Sequence, residues 1–145
     1  MAGCGTVSHR GWLSAHEARE RLRARVNDFF ADFDVLLMPV NQVPAIPIDP
    51  SEPQTDRTIR VGDEVRPYAD LFAWISLATA CHLPATVAPA GRSSGGLPVG
   101  IQIVGPLFED RTPLAFASEL ARVVGAFSPP PGFAARPSPE RRPRL

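Results

Sequence analysis

The sequence predicts an α/β fold in which a few short strands are flanked by helices. Helical segments alternate along the chain with short β-type runs, and this alternation is typical of the α/β class. The length of 145 residues suits a single domain. Hydrophobic residues make up 44% of the chain and charged residues 21%, which is enough apolar material for a globular core.

The first predicted helix spans Gly11 to Phe33. Ser14 is the expected N-cap, and Glu17 follows three residues later, as in a capping box. Glu17 and Arg21 are spaced for an i, i+4 ion pair. Apolar side chains fall on one helical face: Ala18, Leu22, Val26, Phe29, Phe30 and Phe33. The solvated face is expected to carry Arg19, Arg21, Arg23 and Arg25, with a nucleic-acid patch as the alternative.

The next segments predict one buried strand, a long loop and a small hairpin. The apolar run from Val35 to Val40 is typical of a buried strand. The proline-rich segment 41–55 lacks periodicity and predicts a loop that runs over the surface. Residues 58–66 alternate weakly around Gly62 and Asp63, which indicates a two-stranded hairpin.

A second predicted helix, from Tyr68 to His82, is apolar nearly all round and ends before Pro84. A helix of this kind requires burial on more than one side. The few predicted strands cannot cover it, so the sequence indicates that further protein surrounds this chain.

The last predicted elements are two strands and a helix. Residues 85–88 and 99–104 form β-type runs that a Gly- and Ser-rich turn at 91–96 separates. Asp110 or Thr112 caps the last helix, Pro113 fits its first turn, and Gly125 suits its C-terminal cap. Residues 1–10 are expected to be flexible, and the Pro- and Arg-rich residues 128–145 to form a disordered tail.

The composition argues against several classes of function. The net charge is +0, with 15 basic and 15 acidic side chains, which does not favour a nucleic-acid binder. The residual case for one rests on four tail arginines, at Arg136, Arg141, Arg142 and Arg144. No signal peptide or membrane-spanning run is predicted. Two distant cysteines favour a reducing, cytoplasmic setting, and neither they nor the three histidines have the spacing of metal ligands, so no metal or cofactor is expected.

Two segments carry a resemblance to a known family. Residues 33–39 have the sequence FDVLLMP, and residues 83–91 have LPATVAPAG, followed by GLPVGIQIVG at 96–105. Together they resemble the C-terminal part of amidase-signature enzymes, from about Gly11 to Phe127. The resemblance implies a partial amidase-signature fold, in which helices flank a mixed sheet of a few strands. It also implies that residues 11–127 form the C-terminal part of an amidase domain.

The same resemblance implies hydrolysis of a carboxamide by a Ser–cis-Ser–Lys triad. In that chemistry a neutral lysine accepts a proton that one serine relays from a nucleophilic serine, and backbone amides hold the oxyanion. The family carries these groups in an earlier segment than the one matched here. All 15 basic residues of this chain are arginines, so the chain offers no lysine base and is expected to be inactive alone, with no catalytic residue of its own.

One run imitates the family's serine loop without its context. Residues 91–96 read GRSSGG, but they lie between two motif segments that the family joins by a plain turn. Gly and Ser are common in tight turns, so Ser93 and Ser94 are predicted to be turn residues. The alternative is a Ser–His pair, which would require one of the histidines His9, His16 or His82 near Ser94.

By resemblance, the helix before the Pro-Ala strand borders the substrate cleft. Phe72 and Trp74 are therefore candidates for the acyl side of a pocket, with ordinary core packing as the alternative. Thr79 stands where the family has Asn, and His82 where it has Gly, so both are pocket candidates. The alternative for His82 is a helix-terminal side chain that bonds nearby carbonyls or water. The loop after Pro39 is also expected to face the cleft.

Two functional hypotheses follow. The first is a C-terminal fragment of an amidase-type hydrolase, from a truncated or split gene or a chain whose start lies upstream of Met1. The second is a non-catalytic scaffold that docks on a separate chain. The expected partners are a complementary N-terminal amidase segment or a second copy. A small amide substrate is expected only in the complete enzyme, and neither nucleic acid nor membrane is an expected partner.

Overall fold

The computed structural model describes residues 6–49, 53–130 and 132–133. The helices are α1 (His9–Phe29), a 3₁₀ helix (Tyr68–Phe72), α2 (Ser76–Cys81) and α3 (Arg111–Val124). The strands are β1 (Leu36–Pro39), β2 (Thr58–Val61), β3 (Glu64–Pro67), β4 (Ala85–Arg92) and β5 (Pro98–Val104). The predicted α/β class, with few strands flanked by helices, is confirmed.

A three-stranded sheet in the order β1-β5-β4 forms the centre of the fold. Val104 of β5 lies opposite Leu36 of β1 on one side and Ala85 of β4 on the other. Both pairings are antiparallel, and so is the separate β2–β3 hairpin. Within the described residues, the parallel pairing that a mixed sheet requires does not occur.

The core lies on both faces of β5. Val104 is fully buried against Met38 and Ala78, with Phe30, Leu36, Leu77 and Leu83 around them. Ile103 points to the opposite face and is also fully buried. Helix α3 packs on β4 and β5, with Pro113 so close to Gly105 that a Cβ there would lie 2.6 Å from Pro113 Cδ.

Helix α1 begins two residues before the predicted Gly11, and the predicted N-cap is wrong by six residues, since Ser14 lies inside the helix. Ser8 is the N-cap, and its Oγ accepts a hydrogen bond from the Gly11 N–H at 3.1 Å. The Trp12 N–H donates to the Ser8 carbonyl at 2.9 Å, which closes the first turn. The apolar periodicity begins only where α1 approaches the core, so it misses this first, exposed part of the helix. The helix ends at Phe29 rather than at Phe33.

The faces of α1 match the prediction only partly. Glu17 and Arg21 form the predicted pair at 3.7 Å. Arg19 and Arg23 are half-buried rather than solvated, and the Arg23 guanidinium bonds Glu20 at 2.8 Å. No residue of α1 is buried, although its predicted apolar face includes four half-buried side chains: Leu22, Val26, Phe29 and Phe30.

The second predicted helix is broken. The chain forms the 3₁₀ helix, turns at residues 73–75 and continues as the six-residue α2, in which only Ala78 and Cys81 are buried. The prediction of one continuous helix from Tyr68 to His82 is therefore wrong, whereas the low burial of α2 fits the expectation that this chain cannot cover the segment by itself.

The remaining elements lie close to their predicted positions. The β2–β3 hairpin turns at Gly62, whose φ is +59°. Strand β4 runs four residues beyond its predicted end, past an irregularity between Pro89 and Gly91. Asp110 occupies the N-cap position of α3 without a capping hydrogen bond from its side chain, and Gly125 ends the helix with φ +94°.

The predicted flexible segments fall largely outside the described residues. Residues 1–5, 131 and 134–145 lie outside them, and with them most of the predicted tail and its four arginines. His9 and Arg10, placed in the flexible N-terminus by the prediction, belong to α1. Among the helices described, none has the length and apolar character needed to cross a membrane.

Candidate functional site

The four candidate pocket residues lie in one stretch, residues 68–82, here named the pocket segment. Three carboxamide side chains from elsewhere in the fold donate to its backbone carbonyls. Gln42 Nε2 bonds the Asp70 carbonyl at 2.6 Å. The amide of Asn41, oriented by its hydrogen bonds, donates to the Leu71 carbonyl at 2.7 Å. Gln102 Nε2, from the middle of β5, reaches the Trp74 carbonyl at 3.4 Å.

These contacts lie where the pocket segment departs from one continuous helix. In an α-helix each carbonyl accepts from the N–H four residues on. Here the Asp70 carbonyl accepts from the Ala73 N–H, a 3₁₀ bond, and from Gln42. The Asp70 carbonyl thus accepts both bonds at once. The side-chain bonds fix the segment to both β5 and the loop after β1.

Phe72 and Trp74 are not core residues of this chain. Their exposed fractions are 48% and 40%, so the alternative of ordinary core packing does not hold within the described residues. Ser76 Oγ donates to the Phe72 carbonyl at 2.6 Å and so bridges the backbone turn at residues 73–75, which contains Trp74. Two large half-exposed aromatic residues on a clamped backbone are suited to line a cleft that other protein completes, and this role stays a prediction.

Thr79 and His82 lie at the end of α2. Thr79 Oγ1 donates to the Ile75 carbonyl at 3.2 Å, within its own helix. His82 is the C-cap, with a left-handed backbone at φ 59° and ψ 34°. The Leu83 N–H donates to the Ala78 carbonyl at 2.9 Å, which closes the helix end. The left-handed conformation strains any residue with a Cβ, which gives a physical reason for the glycine that the family has at this position.

The imidazole of His82 is exposed. Among the described residues, no side-chain hydrogen bond of His82 is present, so the protein carbonyls that the prediction offered as partners are not used. The side chain is therefore available to any protein or ligand that lies against the pocket segment.

Ser93 and Ser94 lie in the turn of the β4–β5 hairpin, as predicted. The Ser93 N–H donates to the Leu97 carbonyl at 2.8 Å, and Ser93 Oγ accepts from the Leu97 N–H at 3.2 Å. Arg92 adds a bond to the Gly96 carbonyl at 2.9 Å. No hydrogen bond joins either serine to a histidine in the part of the chain that the structure describes.

The ionisable groups outside the pocket segment form no catalytic arrangement within the described ranges. On α1, the rings of His9, Trp12 and His16 stack in a row, with centroids 6.1 and 5.4 Å apart. The hydrogen bond from Arg23 holds the pKa of Glu20 below its usual value. Desolvation raises the pKa of the buried, free Cys81 thiol, which makes it a poor nucleophile. No cluster among the described residues could hold a metal ion.

Two grooves adjoin each other on the sheet. The smaller, of about 280 Å³, lies between residues 40–44 and the two strands β4 and β5. The larger, of about 660 Å³, lies between those strands and the chain that follows α3. Val87, Val99 and Gly100 line both grooves. The four candidate residues line neither, but Asn41 and Gln42, which hold the pocket segment, line the smaller one.

Sequence reasoning missed these positioning residues. Gln102 was visible as a polar residue among apolar neighbours in a buried strand, where an amide requires a partner. Asn41 and Gln42 carried no such signal, because polar residues are ordinary in a loop. What identifies them is the fold, which brings the loop after β1 against the pocket segment.

Comparison with known proteins places this arrangement in a family. The family model named Amidase matches residues 3–114. The chain is 31% identical over 120 residues to a glutamyl-tRNA(Gln) amidotransferase subunit of Brevibacillus brevis, covering 83% of this chain and 22% of the relative. It is 29% identical over 122 residues to a fatty acid amide hydrolase of Arabidopsis thaliana, covering 82% of this chain and 19% of that protein.

Comparison with solved structures also finds proteins of the amidase family. An amidase crystal structure superposes with a TM-score of 0.69 at 25% identity, over 82% of this chain and 26% of the other. The corresponding amidotransferase subunit of Thermotoga maritima gives a TM-score of 0.62 at 26% identity, over 81% and 24%. The chain thus spans about a quarter or less of the proteins it matches. With a family model over most of its length and these structural neighbours, the chain belongs to the amidase family and carries part of the amidase-signature fold.

Proposed function

We propose that this chain forms the C-terminal part of an amidase-type hydrolase that cleaves carboxamide C–N bonds, and that it has no turnover by itself. Its part in the reaction is to hold one wall of the substrate cleft. Phe72 and Trp74 supply apolar surface to that wall, and Thr79 and His82 border it. The three side-chain amides of Asn41, Gln42 and Gln102, here called the amide clamp, support this role. Their hydrogen bonds fix the backbone of the pocket segment while its aromatic side chains remain exposed.

One observation carries the proposed inactivity. The chain contains no lysine, whereas the chemistry implied by the family requires a neutral lysine as base. The serines that imitate the family's loop lie in a hairpin turn, where the Ser93 hydroxyl is engaged with the Leu97 backbone. The proposed setting of the complete enzyme is the reducing cytoplasm, which the free thiol of Cys81 supports.

The test is an amide-hydrolysis assay on the purified 145-residue chain with a nitroanilide substrate. We expect a rate no different from buffer, for the chain and for its Ser94→Ala variant alike. The matched control is Ser14→Ala, which removes an exposed hydroxyl on α1. Turnover that survives Ser14→Ala and is lost in Ser94→Ala would show that the hairpin serine is a nucleophile and would contradict the proposal.

A second candidate is a non-catalytic scaffold that docks on another chain. The observation that favours it is the exposed apolar surface of α1 and of the segment after it, where Trp12 is 56% exposed and Phe33 56%. Exposed aromatic groups of this size are typical of protein interfaces. Both candidates require further protein against this chain, and they differ in whether the resulting complex hydrolyses amides.

A further inference from the structure

Asp70, in the 3₁₀ helix that begins the pocket segment, is held by its side chain and its backbone at the same time. Its Oδ2 lies 3.0 Å from Arg66 Nε, in an ion pair with strand β3. Its carbonyl accepts from the Gln42 amide at 2.6 Å and from the Ala73 N–H at 3.0 Å. One residue therefore joins the β2–β3 hairpin, the loop after β1 and the turn that leads to Trp74.

The contacts of Asp70 act on the two aromatic side chains through a short stretch of backbone. The bond from the Ala73 N–H to the Asp70 carbonyl closes a 3₁₀ turn that contains Phe72, and Trp74 follows this turn directly. Because both the carbonyl and the carboxylate of Asp70 are bonded, rotation of the turn about the chain axis would break one of these contacts. The direction of Phe72 and Trp74 thus depends on both.

The ion pair is too exposed to contribute much to stability. The side chains of Arg66 and Asp70 keep 48% and 32% of their surface exposed, and water and salt screen pairs of this kind. Glu64 lies 3.8 Å from the Arg66 guanidinium, so Asp70 is the nearer carboxylate. The consequence of the pair therefore lies in the position of the pocket segment rather than in the free energy of unfolding.

We propose that Arg66 is a positioning residue, which acts through Asp70 to direct Phe72 and Trp74 into the wall of the cleft. The inference rests on the proposed function for the role of that wall, but not for the position of the two side chains. Because Arg66 acts through another residue, its loss should weaken substrate binding and leave the chemistry unchanged. In an active complex with the remaining part of the amidase fold, Arg66→Gln should raise KM about 1.5- to 5-fold at constant kcat, as loss of one exposed ion pair implies.

The position of Trp74 can be followed in the 145-residue chain alone. Trp12→Phe leaves Trp74 as the single tryptophan, and acrylamide quenching of its fluorescence then reports its exposure. We expect Arg66→Gln to raise the quenching constant of Trp74, because a freer turn exposes the indole. Salt at about 1 M, where the Debye length is about 3 Å, should raise it in the chain with Arg66 and not in Arg66→Gln. Arg66→Lys keeps the charge and should restore most of the loss.

The matched control is Arg122→Gln, which removes the ion pair between Arg122 and Glu119 on α3, 2.6 Å apart, and should leave the quenching of Trp74 unchanged. The proposal is overturned if Arg66→Gln leaves that quenching constant unchanged, if Arg122→Gln changes it as much, or if an active complex carrying Arg66→Gln keeps its KM. A complex without hydrolysis would instead contradict the proposed function, and the quenching of Trp74 would still decide the role of Arg66.

Discussion

Gln102 is the one buried polar side chain among the core residues of the described chain, with 4% of its surface exposed. An amide in such a position requires a partner, because leaving it unpaired costs more than the bond gains. Its partner is the Trp74 carbonyl, so a single residue joins the central strand to the pocket segment. Asn41 and Gln42 repeat this arrangement from the other side, and the positions of Phe72 and Trp74 depend on all three.

Replacing Gln102 with leucine should remove its hydrogen bond to the Trp74 carbonyl while the side-chain volume stays nearly constant. We expect a loss of about 1 kcal/mol in the free energy of unfolding, the usual net value of one hydrogen bond. Urea denaturation followed by circular dichroism measures it. Gln54→Leu, at an exposed position of the loop before β2, should change stability little, and equal effects of the two substitutions would argue against the amide clamp.

His82 shows the opposite case, a residue that the backbone does not favour. Its left-handed φ of +59° costs any side chain with a Cβ. We expect His82→Gly to raise the free energy of unfolding by about 0.5–1 kcal/mol, after the greater freedom of glycine in the unfolded chain is deducted. His82→Ala keeps the Cβ and should bring no such gain. If alanine stabilised as much as glycine, the imidazole rather than the backbone would be the source of strain.

At the scale of elements, the sequence predicts those helices and strands whose position depends on interactions between residues close together in the chain. The hairpin at residues 58–67, strand β5 and helix α3 were all readable, because turn residues, alternation and a C-terminal glycine act within a few positions. The break in the pocket segment was not readable. At the break, two amide side chains, those of Gln42 and Gln102, bond carbonyls of the segment, and each lies 28 positions away in sequence from the carbonyl it bonds. The N-cap of α1 was missed because the apolar periodicity does not extend to its exposed first turn.

For the candidate site residues too, the sequence predicts their position along the chain but not their exposure. The resemblance to the family is what assigns the pocket segment to a cleft, and this stays a prediction. The exposure of its aromatic side chains depends on what surrounds α2, which no periodicity reveals. A helix that is apolar all round has the same pattern whether its neighbours belong to this chain or to another. The half-exposed state of Phe72 and Trp74 is therefore information that only the fold supplies.

The junction between β5 and α3 gives a test at this scale. Gly105 lies against Pro113, and an added Cβ would come within 2.6 Å of its ring. We expect Gly105→Ala to cost about 1–3 kcal/mol, as overpacking of a core usually does. Gly95→Ala, where the nearest atom is 3.8 Å away, should be nearly neutral. Thermal unfolding of the two variants compares them, and a tolerated Gly105→Ala would mean that α3 does not pack as described.

At the scale of the whole molecule, the chain corresponds to only part of the amidase proteins that it matches. It covers 22% and 26% of two proteins that it matches in sequence and in structure. Its first helix, of 21 residues, has no buried residue, and a valine and a phenylalanine, Val123 and Phe127, are exposed near the end of α3. Such surfaces are stabilised when a partner covers them, at roughly 25 cal/mol for each Å² of apolar area removed from water. Our proposal assigns both the cover for these surfaces and the lysine base to the part of the amidase fold that this chain does not match.

The most direct test of this conclusion is to supply that portion. The chain is co-expressed with the Brevibacillus brevis relative from which the region that this chain matches has been deleted. The purified material is then assayed for co-purification and for amide hydrolysis. We predict that the two polypeptides co-purify and hydrolyse an amide that neither cleaves alone, whereas co-purification without hydrolysis would favour the non-catalytic scaffold. Two folded polypeptides that fail to associate would contradict the claim that this chain is one part of an amidase.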